Sequence, residues 1–224
     1  MAGTVTIVAL SDTHGYHRDL EVPDGDLLIH AGDLTLSGAL EEVAAFNTFL
    51  SGLPHPHKVV IAGNHDWCFE REPERARALL TAATYLEDEA VSLAGLKIYG
   101  SPWQPWFLDW AFNLPRGGRI AAKWALIPDD TDVLVTHGPP HGIGDETYAG
   151  HNVGCEDLLD RVRQVRPRLH VFGHIHEGRG IWQREGTVFV NASTIEAEAP
   201  PFVVPLESGR ALTAGGEPGK RSSR

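Results

Sequence analysis

Seven residues of this chain bring oxygen or nitrogen donors to the ends of apolar runs. They are Asp12 and His14 in SDTH, Asp33 after Gly32, Asn64 in GNHD, His137 before Gly138, and His174 and His176 in GHIH. Two aspartates, four histidines and one asparagine, with no cysteine among them, make a set of donors suited to Mn, Fe, Zn and similar divalent ions. Two ions held about 3.5–4 Å apart call for a shared carboxylate, and Asp33, standing alone after its run, is the natural bridge. Residues i and i+2 of an extended segment face the same side, so Asp12-x-His14 and His174-x-His176 can each turn two donors toward one metal cluster. One such pair in a sequence is an ordinary surface accident. Five clusters of this kind in one chain are not.

Each cluster follows a short β-branched run: TVTIVAL, DLLIHA, KVVIA, DVLVT and LHVF. Runs of this length and composition read as buried strands. Between them, Gly38 to Leu50, Glu72 to Ala83 and Glu156 to Val165 place apolar residues three or four apart and read as helices. The alternation implies an α/β fold, whose ligand sites gather at the carboxyl ends of the strands, where all five clusters sit. Shorter strands are expected near Lys97 to Tyr99, Thr187 to Asn191 and Phe202 to Leu206, making the sheet mixed. A single domain over 1–206 is expected, with a flexible, solvated tail over 207–224, which is rich in Gly, Ser and basic residues.

Composition narrows the function. At 224 residues and 42% apolar content the chain can bury a substantial core. A net charge of −11 argues against gripping long nucleic acid, which draws on clustered Lys and Arg. A small phosphate ester meets less of an obstacle, because bound cations reverse the local sign. Cys68 and Cys155 are the only cysteines and show no metal-type pairing, so neither a disulfide framework nor a zinc–thiolate site is expected. The apolar start is too short for a membrane span and lacks a basic flank. A soluble, cytoplasmic protein follows as the expectation.

Taken in order and spacing, Asp12-x-His14, Gly32-Asp33, Gly63-Asn64-His65-Asp66, His137 and Gly173-His174-x-His176 resemble the signature of the calcineurin-like metallophosphoesterase superfamily, from about residue 5 to 195. The segments YGSPWQPWFLDWAFNLPRG (99–117) and VRPRLHVFGHIHEGRG (165–180) are similar to its small class III phosphodiesterase branch, the metallophosphoesterase-domain proteins. The resemblance implies a four-layer αββα sandwich of two mixed sheets flanked by helices. It implies that Asp12, His14 and His176 hold one metal, that Asn64, His137 and His174 hold the other, and that Asp33 bridges them. Some members of that branch have glycine at the first histidine of the final motif and are weakened in catalysis; His174 is intact here, which implies an active enzyme.

Two cations would lower the pKa of a bridging water, present hydroxide to phosphorus and neutralise charge on the phosphoryl oxygens. Protonation of the leaving alkoxide then falls to His65, next to the ligand Asn64 but facing the other way, with Asp66 fixing its tautomer. The resemblance implies the same roles. His30 and His170 lie inside strands and read as core; among the loop histidines only His17 and His151 stand out as candidates. The stretch from Ser101 to Trp124 holds Trp103, Trp106, Phe107, Trp110, Phe112 and Trp124. These aromatics can stack on a nucleobase or pack a long loop onto the core. Trp103, Trp106, Asn113 and Arg116 are the candidate substrate contacts, with Arg119 and Arg179 as further phosphate binders. A diester carries one charge and needs fewer fixed cations than a monoester dianion. The reading is a binuclear phosphoesterase of small phosphodiesters, cyclic nucleotides among them, using two divalent ions, manganese favoured and Fe, Zn, Mg or Co compatible. The alternatives are a phosphomonoesterase or protein phosphatase, or a weakly active nucleotide-binding protein.

Overall fold

The computed structural model describes residues 3–208. Its elements, in chain order, are β1 (Thr4–Leu10), β2 (Leu27–Ala31), α1 (Leu40–Ser51), β3 (His57–Ile61), α2 (Trp67–Arg71), α3 (Pro73–Leu79), β4 (Thr84–Tyr85), β5 (Glu89–Leu93), β6 (Leu96–Ser101), β7 (Gln104–Pro105), β8 (Asn113–Leu114), α4 (Gly118–Trp124), β9 (Val133–Thr136), α5 (Glu156–Val165), β10 (Leu169–Phe172), β11 (Gly180–Arg184), β12 (Thr187–Asn191) and β13 (Phe202–Glu207).

The strands form two large mixed sheets, in the orders β13-β1-β2-β3-β4 and β11-β12-β10-β9-β6-β5. In the first, β1 to β4 run parallel and β13 closes the edge antiparallel. In the second, β12, β10, β9 and β6 are parallel, with β11 and β5 antiparallel at the two edges. The single mixed sheet expected from the runs alone is thus two, as the family resemblance implied.

Period-2 alternation builds the layers. In β2, Leu27 and Ile29 turn to the cluster between the sheets, where they meet Ile98, Val133, Val171 and Val190 of the second sheet. Leu28 turns outward to Val43, Phe46 and Leu50 of α1 and Phe69 of α2. On the far side, Leu134 and Phe172 face Ile120 and Trp124 of α4 and Leu158 and Val162 of α5. Three apolar interfaces separate four layers, αββα. Strands buried on both faces are why the runs read as continuously apolar.

Two helix expectations shift. The helix expected over Glu72 to Ala83 is Pro73–Leu79, with proline at its first position, where a missing N–H costs nothing; a separate short helix, α2, precedes it. The helix expected from Gly38 starts at Leu40, where Glu42 Oε2 accepts the Ala39 N–H at 2.9 Å. Glu207 itself still belongs to β13; residues 209–224 of the expected tail lie outside the described residues.

Candidate metal centre

The carboxyl ends of β1, β2 and β3 in one sheet and of β10 in the other face a common cavity of about 300 Å³, and His137, at the end of β9, joins the same donors. Asp12, Asp33 and His137 are buried. Three sets of donor atoms each lie within 4.8 Å of one another: Asp12, His14 and His176; Asp33, His137 and His174; and His14, Asp33 and His65. Asp33 Oδ2 is 3.8 Å from His14 Nε2 and 3.4 Å from His137 Nε2, and so stands between the first two sets. His176 Nε2 is 3.4 Å from Asp12 Oδ1. Asn64 Oδ1 lies 2.8 Å from His137 Nε2.

The backbone that aims these groups is not extended. Asp12, His14, Asp33 and His174 all have positive φ, at 55°, 42°, 55° and 69°. Non-glycine residues adopt this region at a cost that surrounding structure must outweigh, which is characteristic of functional turns. The i, i+2 argument for the Asp12 and His174 pairs is therefore corrected: left-handed turns after the strands converge them, not a shared face of a strand. The glycines of the motifs have a steric role. A Cβ on Gly63 would lie 2.3 Å from Asp33 Oδ1, and one on Gly173 would lie 2.2 Å from Asp12 Oδ2. Each leaves room for a carboxylate of the centre.

Electrostatics favour a cation here. Burial works against ionising Asp12 and Asp33, yet the hydrogen bond from His176 and the fields of His137 and His14 hold Asp12 far below the ordinary carboxylate range. His137 likewise keeps Asp33 at about 2. Burial would lower His137, but the Asp33 carboxylate beside it pushes it up to about 9. Two ionised buried carboxylates thus draw positive charge to this point. His14 is 4% exposed, both its ring nitrogens lack a hydrogen-bond partner among the described residues, and it belongs to two of the donor sets, so a metal ion would satisfy it. His137 Nδ1 faces the Ala31 carbonyl at 2.9 Å. A carbonyl only accepts, so Nδ1 carries the proton and Nε2 is left toward the centre, the usual support for a ligating histidine. The donor set fits divalent ions.

His65 borders the same cavity as Asn64, so the expectation that it faces the opposite way is corrected. Its N–H donates to Asp33 Oδ1 at 2.8 Å, its Nδ1 lies 2.8 Å from the Leu36 carbonyl, and its ring stacks on Trp110 at 4.4 Å between centroids and 27°. Asp66 does not orient it. The Asp66 carboxylate accepts from the N–H groups of Thr35 and Gly63 at 2.9 and 2.8 Å and from Thr35 Oγ1 at 2.7 Å, joining the turns after β2 and β3. Burial and the neighbouring Asp33 raise it to about 6.

The substrate contacts expected from the aromatic segment are mostly displaced. Trp103 Nε1 donates to Asp88 Oδ2 at 3.0 Å and its ring meets Phe112 edge-on. Trp106 is 63% exposed and does not line the cavity. Asn113 Nδ2 donates to the Phe107 carbonyl at 2.9 Å. Arg116 donates to the Gly154 and Val153 carbonyls at 2.8 and 2.6 Å, and Arg179 to those of Ser193 and Pro200, both at 2.6 Å. These side chains satisfy loop carbonyls, a demand invisible before the loops are folded. Arg119 and His151 are exposed, and neither lines the cavity; His17 packs against Phe46 and Phe49. The walls instead include Phe107, Trp110, Glu177 and Glu196. Sequence reading grouped Phe107 and Trp110 with the other aromatics but did not single them out, and it missed the two glutamates; adjacency to His176 was the one available signal for Glu177.

A family model described as calcineurin-like phosphoesterase matches residues 5–178. The human metallophosphoesterase domain-containing protein 1 is 44% identical over 237 residues, an alignment covering 93% of this chain and 73% of that protein. The UPF0046 protein C25E10.12 of Caenorhabditis elegans is 39% identical, covering 92% of this chain and 83% of that one. Among solved structures, TT1561 of Thermus thermophilus superposes with a TM-score of 0.60 at 15% identity, covering 90% of this chain and 99% of that chain. This last likeness is one of fold.

Proposed function

This chain belongs to the calcineurin-like phosphoesterase family of metal-dependent phosphoester hydrolases, and we propose that it hydrolyses small phosphodiesters at a binuclear centre, with cyclic nucleotides the first class to test. The observation that carries this reading is the position of Asp33 between two donor sets, with His14 left unpartnered. In this assignment Asp12, His14 and His176 would hold one divalent ion and Asn64, His137 and His174 the other, with Asp33 shared between them. Oxygen and imidazole donors suit manganese, and Fe, Zn, Mg or Co are compatible. Bound there, the ions would supply Lewis acidity, activating water and offsetting charge on the phosphoryl oxygens.

The chain's own contribution begins with His65. Its Nδ1 proton is committed to the Leu36 carbonyl, so the second proton of the imidazolium form, on Nε2, is the one that passes to the leaving alkoxide, returning the ring to its neutral Nδ1–H tautomer. Trp110, stacked on the ring, limits it to one plane. Diesters are favoured over monoesters by charge: among the described residues no Lys or Arg lines the cavity, whereas Glu177 and Glu196 do. A dianion would meet repulsion there that a monoanion meets less. Phe107 and Trp110 supply apolar faces suited to an aromatic or nucleobase substituent. About 300 Å³ suits a small molecule better than a protein segment. No helix among the described residues is long and apolar enough to cross a membrane. Two buried free thiols suit a reducing cytoplasm.

The test is hydrolysis of bis(p-nitrophenyl) phosphate against p-nitrophenyl phosphate by chelator-stripped protein, with Mn, Mg, Zn or no metal restored. Manganese-dependent turnover with clear diester preference is expected. Monoester preference would move the reading to a phosphomonoesterase. No turnover with two ions bound would point to a nucleotide-binding protein.

A further inference from the structure

A second cavity, of about 310 Å³, lies away from the metal centre, between α5, the start of β12 and the loop that follows His137. Its floor is apolar: Ile143 is 3% exposed, Val162 2% and Phe189 3%. Its rim carries Arg163, Arg166 and Arg184, with a single carboxylate, Glu185, among them. This concentration of cations is unusual in a chain of net charge −11. Arg163 and Arg166 belong to the C-terminal end of α5, where they also offset the helix carbonyls. Arg163 makes only loose, exposed ion pairs with Asp160 and Glu185, at 3.7 and 3.9 Å. Arg184 arrives from β11, and among the described residues its guanidinium has no hydrogen bond or ion pair.

We propose that this cavity is a second small-molecule site, for an amphipathic anion: an aromatic or acyl body on the Ile143–Val162–Phe189 floor and one carboxylate or phosphate-like group on the rim arginines. The apolar floor stays wettable only at a cost that a hydrocarbon body relieves. A planar guanidinium pairs with an oxyanion through paired N–H donors. Neither feature alone specifies a ligand; together they fix the order of its parts, apolar end inward and charge outward. The wall formed by Gly142 and Ile143 is held by the buried polar side chains of Asp145 and Asn191. Gly142 N donates to the buried Asp145 at 2.9 Å, and the neighbouring Gly144 carbonyl accepts from Asn191 Nδ2 at 3.0 Å.

The probe is 1-naphthalenesulfonate, whose sulfonate is a poor metal ligand, titrated by its own fluorescence into metal-loaded protein. One saturable event is expected, unchanged in the Asp33→Asn variant. Affinity should fall at least about tenfold in an Arg184→Ala/Arg166→Gly double variant, the scale of losing a charged hydrogen bond. Glycine suits position 166, where φ is 52°, so this variant should keep wild-type melting and phosphoester turnover. Neutral 1-naphthylmethanol should bind at least about tenfold more weakly than the sulfonate. The proposal is overturned by absence of saturable binding, by loss of binding with Asp33→Asn, by equal binding to the double variant, or by equal binding of the neutral analogue.

Discussion

Replacing Asp33 with Asn keeps the size of the side chain and removes the charge that His14 and His137 share. Metal content and turnover should fall together, read by elemental analysis beside kcat; full metal content in Asp33→Asn would refute the bridge. His65→Ala makes the opposite demand. His65 lies within reach of His14 and Asp33 as a third possible donor set, so geometry admits it as a ligand or as an acid. An acid predicts metal content unchanged and turnover lowered by about 100-fold for alkoxide leaving groups, with a smaller loss for p-nitrophenolate, which departs without a proton. Loss of metal in His65→Ala would reassign it as a ligand. The aromatic ring that matters beside it is Trp110, and the tautomer is fixed by a backbone carbonyl. A sequence shows that Asp66 follows His65, but not that the turn after β3 swings the carboxylate toward Thr35 instead.

At the scale of elements, the strands before each motif were legible because they are buried on both faces, and β10 and β12 match their expected limits residue for residue. The edge strands β5 and β11 were not. They are largely exposed, with polar residues on both sides, and their pairing with β6 and β12 depends on partners distant from any local pattern. The turns after the strands were half legible. Their glycines were visible, but the close approach that requires them was not. Gly173→Ala would drive a methyl group into the Asp12 carboxylate, so reduced metal affinity with a lowered melting temperature is expected. Wild-type metal affinity in that variant would show that the turn can relax. His170, inside β10, illustrates a different element-scale effect. Burial alone lowers it to about 3, and its Nε2 meets Thr136 Oγ1 at 2.9 Å. The unfolded chain takes up this proton near pH 6.5 and the fold does not. The stabilisation is therefore complete above about pH 6.5 and is lost as pH falls toward 3, by about 1.4 kcal/mol per unit. His170→Leu should flatten the fall of melting temperature between pH 6.5 and 5; an unchanged slope would mean that other groups govern it.

For the whole molecule, the αββα arrangement lets two sheets contribute donors to one point: β1, β2 and β3 on one side, β9 and β10 on the other. That convergence is what a sequence with five separated motifs leaves unsaid. The acidic character of the chain reaches the cavity through Glu177 and Glu196, so substrate charge should be selected there. Glu177→Gln combined with Glu196→Gln should raise turnover of monoesters relative to diesters by a few-fold, since two nearby carboxylates no longer repel the dianion; an unchanged ratio would remove them from substrate selection. The most direct measurement is a manganese titration of chelator-stripped protein, with bound metal counted per chain and phosphoester turnover followed in the same samples. Two ions bound per chain, with activity appearing as the second site fills, is the predicted result. Full activity with one ion bound, or with none, would contradict the binuclear centre.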